Sequence, residues 1–206
     1  MTFATLRDAL VNPQPLRAAD MDRQPRGERS AAVAMMLSDE PDPRITFVRR
    51  ASTLRNHAGQ VALPGGRIDP GDDGPVDAAL REAWEEVGLE RDTVDVLGQL
   101  PPVWVPKSNF DVTTVVVTWP GGELRAMDLG ETESVHQCPV SMLTSASVRR
   151  TSLHPTGFRG PAFVLPDVFI WGLTAHLVDW VLRLGGWETN WDRDDVVPIP
   201  AEYLRD

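Results

Sequence analysis

An acidic, amphipathic segment near the middle of the chain sets the strongest limit on its fold. A helix is predicted to begin at Gly74-Pro75, because proline suits a first helical position, and to end at Gly88, because glycine is favoured just past a C-terminus. The apolar residues between these ends recur at the i, i+3, i+4, i+7 spacing of a helix with one buried stripe. They are Val76, Ala79, Leu80, Ala83, Trp84 and Val87.

Three glutamates of this helix, Glu82, Glu85 and Glu86, are predicted on roughly the opposite face. They are neighbours three and four residues apart, where each pair of like charges costs about 0.2–0.5 kcal/mol. A divalent cation would reverse that cost, because hard cations such as Mg²⁺ prefer carboxylate oxygens and bring phosphate-bearing substrates with them. The alternative is a solvated acidic face on which Arg81 pairs with Glu85.

The loop before the helix, residues 63–75, is dense in glycine, proline and aspartate, which suit tight turns and close backbone approach. We expect an apolar, strand-like stretch to end at a turn at Gly65-Gly66. The loop and helix together resemble the Nudix box, whose usual form is Gly, five residues, Glu, seven residues, then Arg-Glu-apolar-x-Glu-Glu-x-Gly-apolar. Here Gly66, five residues, Asp72, eight residues and then residues 81–89 match that form. An aspartate replaces the early glutamate (Asp73 would keep the second spacing), and the loop is one residue longer.

The segment upstream of the box resembles the coenzyme A (CoA) pyrophosphatase branch of the Nudix hydrolases. In that branch it reads close to Arg-Ser-x-x-Leu-Arg-x-His-x-Gly-Gln-Val-x-Phe-Pro-Gly-Gly. Residues 50–66 follow this pattern, with Ala51 where serine is usual and Leu63 where phenylalanine is usual. The branch also tends to carry the longer loop and an Asp-x-x-Asp pattern, which Asp69 and Asp72 reproduce.

The resemblance implies an α/β fold, the Nudix α/β/α sandwich with a mixed central sheet and the catalytic loop–helix. We expect one domain over residues 1–206, with an N-terminal helical extension over about 1–27 and a C-terminal helix plus tail over about 169–206. Strands are predicted at residues 29–37, 45–50, 94–100 and 112–119, and a short helix near Ser141.

Charge narrows the class of partner. The chain has 20 basic and 30 acidic residues, a net charge of −10, which disfavours nucleic acid as a ligand because counterion release needs a basic surface. A polyanionic small molecule would need a metal ion and a local basic cluster, for which the candidates are Arg49, Arg50, Arg55 and Arg67. These arginines are alternatively strand-edge charges that discourage pairing.

The cellular setting is predicted from what the sequence contains. Cys138 is the one cysteine, which fits a packed residue in a reducing cytoplasm. The N-terminal residues show no secretory signal, and charges interrupt the apolar stretch 163–184, which favours a packed helix over a membrane span. A cytoplasmic protein is therefore expected. The apolar face of residues 173–184 could either form a homodimer contact or pack in the core, and the sequence leaves both alternatives open.

The metal site is expected to hold Mg²⁺ or Mn²⁺ through Glu82 and Glu86, completed by Glu85. By analogy with the family, the backbone carbonyl of Gly66 adds a ligand, and Arg81 orients the carboxylates. For the general base the sequence leaves Glu82, Glu131 and the neighbouring Glu133 open.

For the substrate, the resemblance implies attack within the diphosphate of CoA or acyl-CoA, giving 4′-phosphopantetheine and adenosine 3′,5′-bisphosphate. Arg50 and Arg55 are candidates for the 3′-phosphate, and His57 either donates to a phosphate or braces the loop. The alternatives are a Nudix hydrolase for another nucleoside diphosphate derivative (a dinucleotide, a nucleotide sugar or an oxidised nucleotide) and a non-catalytic ligand sensor. Such sensors usually lose helix carboxylates, and this helix keeps three.

Overall fold

A computed structural model describes residues 3–13, 25–54 and 57–204. The helices within these ranges are α1 (Ala4–Val11), α2 (Pro75–Val87), α3 (Val140–Thr144) and α4 (Gly172–Leu184), with short 3₁₀ turns at Arg91–Thr93 and Ala201–Leu204. The strands are β1 (Arg29–Ser38), β2 (Arg44–Arg50), β3 (Val61–Ala62), β4 (Gly65–Arg67), β5 (Asp95–Gln99), β6 (Val103–Val105), β7 (Phe110–Trp119), β8 (Thr132–Pro139), β9 (Arg149–Leu153), β10 (Arg159–Val164), β11 (Phe169–Ile170) and β12 (Val196–Pro198).

Two sheets organise these strands. The larger sheet runs in the order β3-β2-β1-β7-β5, and β4, β6 and β8 pair with β1, β7 and β2. It is mixed, because β1 and β7 are parallel while the other described pairs are antiparallel. The smaller sheet has the order β11-β10-β9-β12. The predicted mixed sheet and α/β class are confirmed.

The larger sheet separates two hydrophobic cores. Successive side chains of a strand point to opposite faces, so Met36 of β1 lies in the core under α2, while Met35 and Leu37 lie in the core shared with α4 and the smaller sheet. Leu6 and Leu10 of α1 join that second core. The sheet with helices on both faces is the predicted sandwich.

Helix α2 has the predicted bounds, and four of the six residues of its predicted stripe are buried, but Trp84 and Glu86 differ from the prediction. The helix begins at Pro75, where the missing backbone N–H costs no helical hydrogen bond. It ends at Gly88, which has a φ of 74° and whose N–H donates to the Ala83 and Trp84 carbonyls. Trp84, expected in the buried stripe, is 54% exposed, and Glu86, expected on the outer face, is 7% exposed. Ala79 and Ala83 are fully buried against the sheet, as predicted, and a helix held that close by small residues leaves no room for an indole.

The predicted Gly65-Gly66 turn is wrong, because these residues form β4 and pair with Val33 and Ala32 of β1. A Cβ on Gly65 would overlap the backbone of β1, at the Ala32 carbonyl and the Val33 Cα. Glycine is therefore required by the close approach of two strands, and it delivers the chain to the start of the acidic loop.

The C-terminal third contains α4, which packs in the core as predicted for an amphipathic helix. Cys138 is buried, and burial raises the pKa of its thiol to about 11, as expected of a packed residue. None of the helices in the described ranges is both long enough and apolar enough to cross a membrane.

Candidate active site

The centre of the site is a contact between the end of α2 and β4. The Gly65 N–H donates to Glu86 Oε2 at 3.0 Å. Among the described residues Glu86 forms no ion pair, so this buried carboxylate is met by a neutral donor. Burial chiefly, and then the nearby Glu82 charge, raise the pKa of Glu86 to about 7, although the Gly65 hydrogen bond opposes them.

Glu82 lies one turn earlier and packs against Gly66. A Cβ on Gly66 would overlap the Glu82 carboxylate, so glycine is needed there for the side chain to reach the backbone. Burial raises the pKa of Glu82 as well, with smaller contributions from the charges of Glu85 and Glu131. The glycine pair thus holds two carboxylates that disfavour each other's charge.

Arg81 ties the helix to the loop. Its Nε and Nη2 donate to the two oxygens of Asp72 at 2.9 and 3.0 Å, a bidentate pair. Its Nη1 donates to Glu82 Oε1 at 2.9 Å and to Glu85 Oε2 at 3.2 Å. Its Nη2 also reaches the Arg67 carbonyl at 3.1 Å. One guanidinium therefore restrains two of the helix carboxylates.

Asp72 is the anchor of this arrangement. Its side chain is 5% exposed, and its Oδ2 also accepts the Asp69 N–H at 2.7 Å. The hydrogen bonds from Arg81 hold the pKa of Asp72 below its usual range. The Asp-x-x-Asp pattern and the longer loop thus form a turn that presents Asp72 to Arg81. This is a contact that the sequence did not identify.

The neighbouring strand ends divide the candidate polar residues between the two faces of the sheet. The charge of Arg50 acts on Glu86, whereas the charge of Arg49 acts on His136, whose pKa is lowered chiefly by burial. In the same way the charge of Glu131 acts on Glu82 and Glu86, and that of Glu133 acts on His136. Strand alternation agrees for the two arginines, because Phe47 lies in the core shared with α4 and Val48 in the core under α2, so Arg50 follows the α2 face and Arg49 the opposite face.

The remaining predicted residues lie around the loop between β2 and β3. His57 Nδ1 is 2.9 Å from Gln60 Oε1, and Gln60 Nε2 donates to the Tyr203 carbonyl at 3.0 Å, which is the loop-bracing arrangement. The Ala51 N–H donates to the Glu131 carbonyl at 2.8 Å and fixes this loop beside β8. Arg67 is exposed on β4, and Arg55 lies outside the described residues.

The residues fit a hard divalent cation. Glu82 and Glu86 offer carboxylate oxygens beside the same glycine pair, and a bound cation would offset the burial that raises both pKa values. Within the described ranges no three histidine, cysteine or acidic side chains converge on a metal position. Glu85, the predicted third ligand, is exposed and paired with Arg81.

Comparisons with known proteins identify relatives of this chain. Residues 28–155 match the family model described as NUDIX domain. A protein of Cronobacter sakazakii described as uncharacterized Nudix hydrolase NudL is 35% identical, over 87% of this chain and 92% of its own. The NudL protein of Photorhabdus laumondii is 36% identical, over 81% and 87%. A NUDIX hydrolase structure from Nitrosomonas europaea has a TM-score of 0.51 at 11% identity, over 84% of this chain and 82% of that one, and shows the fold alone.

Proposed function

This chain belongs to the Nudix hydrolases, enzymes that act on phosphorus anhydrides, and from that premise we propose that it hydrolyses the diphosphate of CoA or acyl-CoA. The products would be 4′-phosphopantetheine and adenosine 3′,5′-bisphosphate. Relatives described as uncharacterized leave the substrate open, so the proposal depends on this chain's own residues.

The position of Arg50 carries the proposal. It ends β2 inside the segment that resembles the CoA branch, and its charge reaches Glu86. Its backbone is fixed on both sides, since its N–H donates to the Gln60 carbonyl at 2.9 Å and its carbonyl accepts the Gly59 N–H at 3.1 Å. A cation held beside the carboxylates suits a substrate with a phosphate beyond the diphosphate.

Each residue then has a role in the hydrolysis. Mg²⁺ or Mn²⁺, when bound, would neutralise the diphosphate and lower the pKa of a water. Glu82 and Glu86 supply the oxygens that hold the cation, with Glu85 and the Gly66 carbonyl as further proposed donors. Arg81 keeps Glu82 in place, and Asp72 keeps Arg81 in place. Glu131 and Glu82 are the candidates to accept the proton of the attacking water.

The test is hydrolysis of CoA with millimolar Mg²⁺ or Mn²⁺, compared with NADH, ADP-ribose and a nucleoside triphosphate. Release of adenosine 3′,5′-bisphosphate, with slower turnover of the others, is expected. Turnover of another substrate while CoA stays intact would discard the CoA assignment, and no turnover at all would favour a sensor.

Arg49 provides a matched control for Arg50, because the two neighbours act on opposite faces of the sheet. Arg50→Gln should raise the KM for CoA about tenfold, the loss of a charge-assisted hydrogen bond, and change that for dephospho-CoA less. Arg49→Gln should leave both KM values within about twofold. Equal effects of the two substitutions would remove Arg50 from the substrate site.

The general base can be assigned in the same way, by comparing a candidate residue with a neighbouring control residue. Glu131→Gln should lower kcat roughly 100-fold if Glu131 takes the proton, since general bases contribute about that much. Glu133→Gln, on the His136 side, is the control and should leave kcat unchanged. An unaffected kcat in Glu131→Gln assigns the proton to Glu82.

A further inference from the structure

A small slot lies behind the glycine pair, on the face of the sheet that carries α4. It has a volume of about 170 Å³, and Gly65 and Gly66 form its wall toward the carboxylates. Its other sides include Val33, Leu63 and Val112 from the sheet and Leu173, Thr174 and Leu177 from α4. Because glycine has no side chain, backbone alone borders the slot here, and the Glu82 carboxylate packs against the same Gly66.

The lining determines what the slot can accept. Among the described residues that line it, Thr174 is the one with a polar side-chain atom. A nucleobase or a ribose buried there would leave ring nitrogens or hydroxyls without partners, which is costly. An aliphatic group has no such cost and gains from leaving water. An apolar cavity of about 150 Å³ holds a ligand of benzene size, so the slot suits a small, branched aliphatic group.

Resting on the proposed function, we infer that this slot receives the geminal dimethyl group of the pantoyl unit of CoA. That group lies one methylene away from the phosphate ester oxygen, so a diphosphate held beside the glycine pair would bring it to the edge of the slot. The hydroxyl next to it can hydrogen-bond to Thr174 Oγ1. An acyl chain begins beyond two amide groups, too far along the arm to fill a slot that borders the glycine pair.

Filling the slot tests the inference. Thr174→Leu adds apolar volume where the dimethyl group would lie, and Thr156→Leu makes the same change at an exposed turn as the control. The ligands are the two halves of the substrate, 4′-phosphopantetheine and adenosine 3′,5′-bisphosphate. Each is titrated calorimetrically into the full-length chain with Mg²⁺ present.

Thr174→Leu should raise the Kd of 4′-phosphopantetheine about tenfold, which corresponds to two methyl groups no longer buried. The Kd of adenosine 3′,5′-bisphosphate should change less than twofold, and Thr156→Leu should change neither. Leu173→Ala, which removes part of the slot wall, should also weaken the binding of 4′-phosphopantetheine. This variant replaces Thr174→Leu in the test if Thr174→Leu does not fold.

Three results would overturn the inference: equal weakening of both halves, weakening of adenosine 3′,5′-bisphosphate alone, or no 4′-phosphopantetheine binding by the unmodified chain. Hydrolysis of CoA is measured separately on the same preparation. A chain that binds 4′-phosphopantetheine through the slot but leaves CoA intact would contradict the proposed enzyme activity and keep the slot.

Discussion

Helices α2 and α4 each have 13 residues and each bury one carboxylate, but they treat it differently. In α4, nine residues are buried, and Asp179 forms an ion pair with Arg149, whose side chain is 2% exposed. In α2, six residues are buried, and Glu86 accepts the Gly65 N–H and forms no ion pair within the described ranges. One buried acid has a direct ion-pair partner, and the other has none among the described residues.

We interpret the difference as that between a structural carboxylate, Asp179, and the proposed metal ligand, Glu86. Arg149 also lies 4.5 Å from the Phe163 ring centroid and 4.6 Å from that of Trp191, so its pair with Asp179 joins α4 to β9, β10 and the C-terminal segment. Glu86 has no ion pair of this kind to connect α2 to other elements, and its burial raises its pKa to about 7. A buried charge that the fold does not balance is suited to a ligand that does.

The largest expected effect is on turnover. Glu86→Gln keeps an acceptor for the Gly65 N–H but removes the charge, so kcat should fall roughly 100- to 1,000-fold while the fold persists. Steady-state hydrolysis checks this, with the exposed Glu90→Gln as the matched control. Full residual activity in Glu86→Gln would contradict the proposal that Glu86 is a metal ligand.

Asp179→Asn should show the opposite profile. It leaves Arg149 buried without its counter-charge, so the free energy of unfolding should fall by about 3–5 kcal/mol. Turnover per folded molecule should stay within about twofold. Urea unfolding measures the loss, with the exposed Asp167→Asn for comparison, and a stability equal to that of the unmodified chain would contradict the structural role.

The buried Glu86 also predicts a pH dependence of stability in metal-free protein. Unfolded Glu86 loses its proton near pH 4.5, whereas folded Glu86 keeps it to about pH 7. The folded state therefore binds more protons between these values, and the free energy of unfolding falls as pH rises through them. The Glu86 contribution is about 3 kcal/mol. Unfolding curves in EDTA should show this fall in the unmodified chain relative to Glu86→Gln, and parallel pH profiles would refute it.

A smaller effect is expected from Asp72→Asn. The amide cannot accept both donors of Arg81, so Glu82 should lose part of its restraint and kcat should fall about tenfold. Asp73→Asn, one residue further along the exposed loop, is the control. Equal kcat values in the two variants would show that Arg81 holds its position without Asp72.

The smallest effect concerns the exposed side of α2. Since Trp84 is 54% exposed, Trp84→Gln should change the free energy of unfolding by less than about 0.5 kcal/mol. A loss of 2 kcal/mol or more in a thermal or urea transition would return Trp84 to the core, as its spacing had indicated.

Local signals were enough to predict much of the fold. Pro75 and Gly88 mark the ends of α2, an apolar run marks β1, and β-branched residues mark β2 and β7, because caps and strand patterns depend on neighbours in sequence. The pairing of Thr151 on β9 with Val196 on β12 joins residues far apart in the chain, and no local pattern encodes it.

The sequence predicted which residues belong to the candidate site better than it predicted the contacts between them. The order Gly66, Glu82, Glu86 was readable because a loop and one helix turn bring it together. The burial of Glu86 was not, since it depends on how α2 is rotated against the sheet, and periodicity alone placed Trp84 inward. The slot was missed for a similar reason, because Thr174 reaches Gly65 only through the packing of α4.

The most direct test of the account is Mn²⁺ binding, measured by electron paramagnetic resonance on the unmodified chain, Glu86→Gln and Glu90→Gln. The uncompensated Glu86 carboxylate predicts that Glu86→Gln weakens Mn²⁺ binding at least tenfold and that Glu90→Gln leaves it unchanged. Equal affinity in all three proteins would contradict the claim that the buried, unpaired carboxylate marks the metal site.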